Sequence, residues 1–145
     1  YRKMWDAMHE VSRDSWGYVK PDEGAYEAWL EGKFFQPEIW KVGWDGDEVA
    51  GYVRNFIDTA ENAEYRLKRG YTEGIGVRRP WRRMGLVRSL LVQSIGMFKE
   101  MDMQETALRV DAQNPSGALN LYTSVGYRVK TTDYTYRKII DMVPG

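Results

Sequence analysis

Residues 78–91 read RRPWRRMGLVRSLL, where five arginines, a proline and a glycine run straight into an apolar helical pattern. The chain as a whole has no such excess, because Lys+Arg and Asp+Glu both number 21 in 145 residues. A helix start leaves several N–H groups unbonded and carries about half a positive charge, which suits a phosphate or pyrophosphate. Gly85 lets ligand oxygens approach the backbone with no Cβ in the way. Arg82 and Arg83 add charge, and no carboxylate between Gly74 and Phe98 neutralises it. A dinucleotide fingerprint would need a last glycine that GIGVRR lacks, and a P-loop would end in Gly-Lys-Ser/Thr. Nucleic acid would spread basic residues over a face several phosphates long. Here they are local and the chain is neutral, so a small nucleotide-type ligand is expected. A merely solvated helix start is the plain alternative.

Few other chemistries are open. There is no Cys, which removes disulfides, thiolate nucleophiles and zinc–sulfur sites together, and His9 is the sole histidine, so no metal is suggested. No apolar run approaches the roughly 20 residues that span a bilayer, and no signal peptide is visible. A cytoplasmic location without membrane or nucleic-acid partners is expected. Aromatic residues reach 14%, including 6 Trp and 10 Tyr. They imply either a core of large side chains or an aromatic-walled pocket.

The elements that must hold the arginine turn follow from periodicity. Tyr1, Trp5, Met8 and Val11 recur at helical spacing, predicting a helix over 1–14. PDEGAYEAWLEG predicts a second helix over 21–32. Asp45-Gly46 between two alternating runs predicts a hairpin, with strands at 38–44 and 48–57. Residues 58–70 lack an apolar stripe and read as a solvated loop, with a substrate-covering lid as the alternative. Residues 71–77 are strand-like, and Gly74 and Gly76 within them mark a bulge or the close approach of a backbone or ligand. The helix over 83–101 carries one apolar stripe, Val87, Leu90, Leu91, Ile95 and Phe98. A strand follows at 105–111. Asn114 caps a helix with Pro115 at its first position, Ala118, Leu121, Tyr122 and Val125 inward, and Gly126 as its stop. The closing segment, YRVKTTDYTYRKII, reads as one bent strand or two short ones. Strand–helix–strand around the arginine turn argues for parallel pairing in a mixed α/β (α+β) fold.

The stretch VRRPWRRMGLVRSLL resembles the pyrophosphate signature of GNAT-superfamily N-acetyltransferases, Arg/Gln-x-x-Gly-x-Gly/Ala, on Arg82, Gly85 and Val87. VDAQNPSGALNLYTSVGY is similar to the same superfamily's strand, Asn, helix and Leu-Tyr-x-x-x-Gly-Tyr/Phe segment. The two motifs stand in the right order, and the resemblance covers residues 38–140. The Asn-Pro-Ser-Gly-Ala-Leu wording is similar to mycothiol synthase and related tandem acetyltransferases. Val87 departs from the usual small residue. The superfamily's first strand, normally before the first helix, is missing. The chain is therefore expected to be a single domain cut from a longer, possibly tandem, protein.

The resemblance implies a mostly antiparallel sheet with a central β-α-β unit, splayed strands and helices on both faces. It also implies acetyl-CoA as donor, a primary amine as acceptor, and a homodimer or tandem domain as possible assembly. Backbone groups of Ile75, Gly76 and Val77 would pair with the pantetheine arm. N–H groups of Arg83, Met84, Gly85, Leu86 and Val87, with Arg82, would hold the pyrophosphate. Asn114 would bond the arm from the other side, or simply cap its helix. An alkylammonium titrates near about 10.4, so only about one in 10³ is neutral at pH 7, a deficit of about 4.6 kcal/mol. Glu73 is the candidate base, Asp111 a second, and a partly exposed strand carboxylate is the plain reading of Glu73. Tyr122 matches the tyrosine that protonates the departing sulfur; a core tyrosine is its plain reading. Trp16, Tyr18, Trp29, Phe34, Phe35 and Trp40 fall where the superfamily selects its acceptor, here expected to be a small molecule. A non-catalytic acyl-CoA-binding module is the alternative function.

Overall fold

Helix α1 (Arg2–Ser12) buries Met4, Ala7 and Met8, a stripe one step away from the Tyr1/Trp5 phase expected from periodicity. Tyr1 is largely exposed. Trp5 instead lies against Tyr26 and Trp29, so the helix serves two neighbours with two adjoining stripes. This computed structural model describes residues 1–13, 17–109 and 118–129. Helix α2 (Ala25–Leu30) is shorter than the expected 21–32 span, because Gly24 in front of it has a left-handed φ of 93°. A 3₁₀ turn at Pro37–Ile39 displaces the expected start of the first strand.

Strands β1 (Lys41–Asp45) and β2 (Glu48–Val53) form the expected antiparallel hairpin. Its register runs Gly43↔Gly51 and then Trp44↔Val49, which leaves Ala50 as an extra residue in β2. Such a bulge shifts the alternation of side chains by one. Val49 and Tyr52 therefore share the face that packs on α1, while Val53 joins the opposite cluster.

Residues expected as a loop contain helix α3 (Thr59–Tyr65). Asp58 caps it, its Oδ1 accepting from the Glu61 N–H at 3.0 Å. The helix buries no residue, which is why no apolar stripe announced it. The strand expected over 71–77 is two pieces, β3 (Arg69–Tyr71) and β4 (Ile75–Val77), broken at Gly74, whose φ is +64°.

Helix α4 (Leu86–Glu100) buries Leu90, Leu91, Ser94 and Phe98; full burial of such apolar side chains stabilises by about 1.5–3 kcal/mol each. Its first residue lies so close to the hairpin that a Cβ on Gly43 or Gly51 would come within 2.9 Å of the Leu86 side chain. Strand β5 (Glu105–Ala107) and helix α5 (Ala118–Ser124) complete the described elements. Most of the 127–140 segment lies outside the described residues.

The pairing gives the fold its working feature. β4 joins β1 and β2 in an antiparallel sheet of order β1-β2-β4, whereas β3 pairs with β5 in parallel. The chain thus leaves one sheet for the other at Thr72–Gly74, and β4 and β5 part there. This is a mixed α/β fold, mostly antiparallel, with β3–α4–β5 as its parallel crossover and α1 and α4 on opposite faces of β2.

Candidate active site

The arginine turn folds as a 3₁₀ segment, Arg79–Trp81, followed by two left-handed residues, Arg83 (φ 64°) and Gly85 (φ 77°). Gly85 is the N-cap of α4 and offers no side chain to its amides. Among the described residues, none of the N–H groups from Arg83 to Arg88 meets an acceptor; the first helical bond is Ser89 N–H to Gly85 C=O, 3.1 Å. Six successive donors around one bend are therefore left without an acceptor among the described residues. Met84 is 72% exposed at its tip. An open cleft of about 420 Å³ adjoins the turn, walled by Trp44, Trp81, Met84 and Leu86.

Not all the positive charge is available. The sequence places no carboxylate near Arg78, but folding brings Glu10 and Glu48 to it, and its Nη1 also donates to the Val49 carbonyl at 3.2 Å. Arg88 donates to Ser124 Oγ at 3.0 Å and ties α4 to α5. Arg82 Nε reaches the Val77 carbonyl at 3.3 Å, and Arg82 and Arg83 are exposed, without an ion pair among the described residues. These two guanidinium groups remain for a ligand.

Along β4 the antiparallel alternation decides which backbone groups are open. Arg54 N–H donates to Gly74 C=O and Arg78 N–H to Ala50 C=O, at 3.2 and 2.9 Å, so residues 74, 76 and 78 turn toward β2. Ile75 and Val77 turn their N–H and C=O groups the other way, to the side where β5 has diverged. Gly76 contributes differently: a Cβ there would sit 2.4 Å from the Tyr52 hydroxyl, so what approaches it is a side chain. At the divergence, Tyr127 Oη lies 2.5 Å from Thr72 Oγ1 and accepts from Thr106 Oγ1 at 3.0 Å. One phenol thus joins β5 to Thr72, the residue that follows β3 and precedes the passage to β4.

Tyr122 is buried with Val53, Leu90 and Leu91, and Ile75, Leu86 and Val87 pack on that cluster. It therefore sits beside β4 and the start of α4. Burial pushes its phenol above the ordinary value of 10.0. Leu86 and Val87 pack inward while Met84 and Gly85 stay outside, so Val87 bears on the core rather than on the outer face of the turn.

Glu73 lies elsewhere, in the wall of a cavity of about 330 Å³ with Trp29, Phe34, Phe35, Trp40, Phe56 and Arg54. Trp29 stacks on Trp40 at 5.7 Å and Phe34 on Phe56 at 4.5 Å, which fixes this wall. Burial raises the Glu73 carboxyl above its ordinary value of 4.5, and Arg109 opposes the rise. Four of the expected aromatic residues are in this wall, and Tyr18 lies instead against His9 at 6.2 Å. Trp16, Asp111 and Asn114 lie outside the described residues.

The sequence profile of the Acetyltransferase (GNAT) family matches residues 5–127. The chain belongs to the GNAT acetyltransferase family. It is similar to an N-alpha-acetyltransferase of Sulfurisphaera tokodaii, 32% identical over 112 residues, which are 73% of this chain and 63% of that protein. The chain thus spans less than two thirds of that relative's length. Its fold is similar to a crystal structure of an aminoglycoside acetyltransferase from an uncultured soil metagenomic sample, with TM-score 0.68 and 14% identity over 97% of this chain and 88% of the other. It is also similar to the ribosomal-protein-S18-alanine N-acetyltransferase of Escherichia coli, with TM-score 0.65 and 18% identity over 90% and 72%.

Within this GNAT domain, motif reading did not find Arg54, Tyr52 or Tyr127. Tyr52 is pushed up to about 12 by burial, with the Arg54 charge opposing. Arg54 stands on no motif; its only signal was a charged residue closing a strand that is otherwise apolar. Tyr127 was quoted in the second signature, but its bond to Thr72 needs the fold. No described helix is long and apolar enough to cross a membrane.

Proposed function

We propose that this domain is an acyl-CoA-dependent N-acetyltransferase acting on a small primary amine. The observation that carries the reading is the run of six N–H groups around Arg83 and Gly85 that have no acceptor among the described residues. An anionic diphosphate satisfies such donors at a helix start and would also meet Arg82 and Arg83. The outward N–H and C=O groups of Ile75 and Val77 would bond an extended arm lying in the gap between β4 and β5. Asn114 would approach that arm from the second motif. Acetyl-CoA, when bound, supplies the acetyl group as a reactive thioester.

The chain's own residues then have two proton duties. Glu73 takes a proton from the acceptor ammonium, directly or through one water, and so frees the nitrogen lone pair. Burial moves its pKa toward the amine's, which makes it a better-matched base than an ordinary carboxylate. The amine nitrogen forms its bond to the acetyl carbon as the carbon–sulfur bond breaks. Tyr122, kept protonated by burial, delivers its phenolic proton to the departing sulfur. The aromatic cavity beside Glu73 holds the acceptor, and its modest volume favours a small molecule. Relatives with protein acceptors and with antibiotic acceptors are both known by name, so the family alone does not choose.

Titration calorimetry with acetyl-CoA tests the reading at its base, and CoA release over a panel of amines tests the chemistry. Binding with turnover is expected. No measurable affinity at modest ionic strength would refute the reading, and affinity without turnover would leave a non-catalytic acyl-CoA-binding module.

A further inference from the structure

Arg54 closes β2 and lines the same cavity as Glu73. Its Nε is buried with no hydrogen-bond partner, and the guanidinium forms no ion pair among the described residues. The surrounding backbone accommodates it: a Cβ on Gly74 would lie 2.6 Å from Nη2. Burial lowers its hold on the proton, and the neighbouring Tyr52 phenol, itself raised to about 12, is uncharged at neutral pH. Arg54 is half-buried, and a guanidinium in a cavity wall with its Nε unpartnered leaves donors for an anion that enters the cavity.

The anion that completes it is not the diphosphate. The Arg54 N–H bonds to Gly74 C=O, which fixes Arg54 at the beginning of β4. The arginine turn begins after the other end of that strand, about 10 Å further along. Nor is it Glu73, which shares the cavity but makes no ion pair with it. The cavity therefore presents a cation, a carboxylate and an aromatic wall to whatever enters it.

We infer that Arg54 is a specificity-determining residue that binds the carboxylate of an amino-acid-type acceptor, whose amino group meets Glu73 and whose apolar or aromatic side chain lies against Trp29, Phe34 and Phe56. This rests on the acetyltransferase reading above. An α-amino acid carries its ammonium and carboxylate on one carbon and so complements the Glu73–Arg54 pair. An amine without the carboxylate leaves the guanidinium without an anion in the filled cavity, which is a penalty against the wrong substrate.

The test is steady-state CoA release with acetyl-CoA and L-phenylalanine, L-phenylalaninamide or 2-phenylethylamine, in the wild type, R54K and R54M. In the wild type, kcat/KM for L-phenylalanine is expected to exceed that for either neutral analogue at least tenfold. In R54M that ratio falls at least tenfold, mainly through KM, and R54K keeps part of it. Acetyl-CoA affinity within a few-fold of wild type shows that each variant is folded. A ratio near one in the wild type, or a ratio unchanged in both variants, overturns the proposal. So does faster turnover of the dipeptide Phe-Glu than of free phenylalanine, which would move the anion onto a peptide. Acetyl-CoA binding with acetylation of 2-phenylethylamine alone sinks the Arg54 assignment and leaves the acetyltransferase standing, whereas no acetyl-CoA binding removes both.

Discussion

Glu73 and Tyr122 are both shifted upward by burial, yet the consequences for their proposed roles as base and acid differ in sign. A base works only when ionised, so the raised Glu73 pKa moves the acid limb of the kcat/KM profile above pH 4.5, where an ordinary glutamate would place it. A phenolic acid works only when protonated, so the raised Tyr122 pKa keeps it competent through neutral pH. Glu73→Gln is expected to lower turnover at least about tenfold, within the usual contribution of a positioned base, and to abolish that acid limb. Tyr122→Phe is expected to lower turnover more than about tenfold while acetyl-CoA affinity stays within a few-fold. Stopped pH profiles with calorimetry check both; wild-type-like turnover in either variant would remove that residue from the reaction. Both candidates were reached through the resemblance, Glu73 on the strand where some superfamily members carry a catalytic glutamate and Tyr122 in Leu-Tyr-x-x-x-Gly-Tyr. Arg54 was not singled out, because a lone arginine at a strand end carries no spacing signal, and only the fold shows that its Nε has no partner among the described residues.

The chain passes from the β3–β5 pair to β4 over a short run, Thr72 to Gly74, and the Tyr127 phenol anchors the first of these residues to β5. Thr72 is fully buried, and apart from Tyr127 its hydroxyl has only a long 3.4 Å contact to the Ala107 carbonyl. Removing the phenolic oxygen leaves Thr72 and Thr106 short of a partner, and an unsatisfied buried hydroxyl costs about 1–3 kcal/mol. Tyr127→Phe is therefore expected to lower stability by about 1–3 kcal/mol in urea unfolding, with an unchanged denaturant slope; a loss under about 0.5 kcal/mol would mean that the clamp is not needed. The hairpin, the long α4 with its stripe, and the parallel crossover were all legible, since each is written in local periodicity or in Asp45-Gly46. The division of 71–77 was not, because it turns on which neighbour each half finds. Helix α3 was hidden for the opposite reason: it buries nothing, and a cap at Asp58 is a weaker sign than an apolar face.

Neutral composition conceals a molecule with charge sorted by place: two exposed arginines at one end of β4, a half-buried arginine at the other, and the lone histidine between aromatic rings. His9 stacks edge-on against Trp5 at 4.2 Å, and neither ring nitrogen has a partner among the described residues. Burial lowers its pKa below 6.5, the Arg54 charge lowers it further, and Asp6 opposes both. The unfolded chain therefore takes up this proton first as the pH falls. The contribution of neutral His9 to stability is complete above about pH 6.5 and is lost progressively as pH drops from there toward the lowered value. Glu73 acts in the other direction: its raised pKa favours the folded state at low pH, an advantage lost as pH rises from 4.5 through its folded value. The two windows are separable, since the histidine acts first on acidification from neutrality. His9→Phe keeps a ring against Trp5 and removes the titration, so melting temperature between pH 7 and 5.5 should decline less in the variant than in the wild type. Thermal melts across that range decide the matter; parallel curves for the two proteins would show that His9 is not the group whose burial makes this fold sensitive to acid.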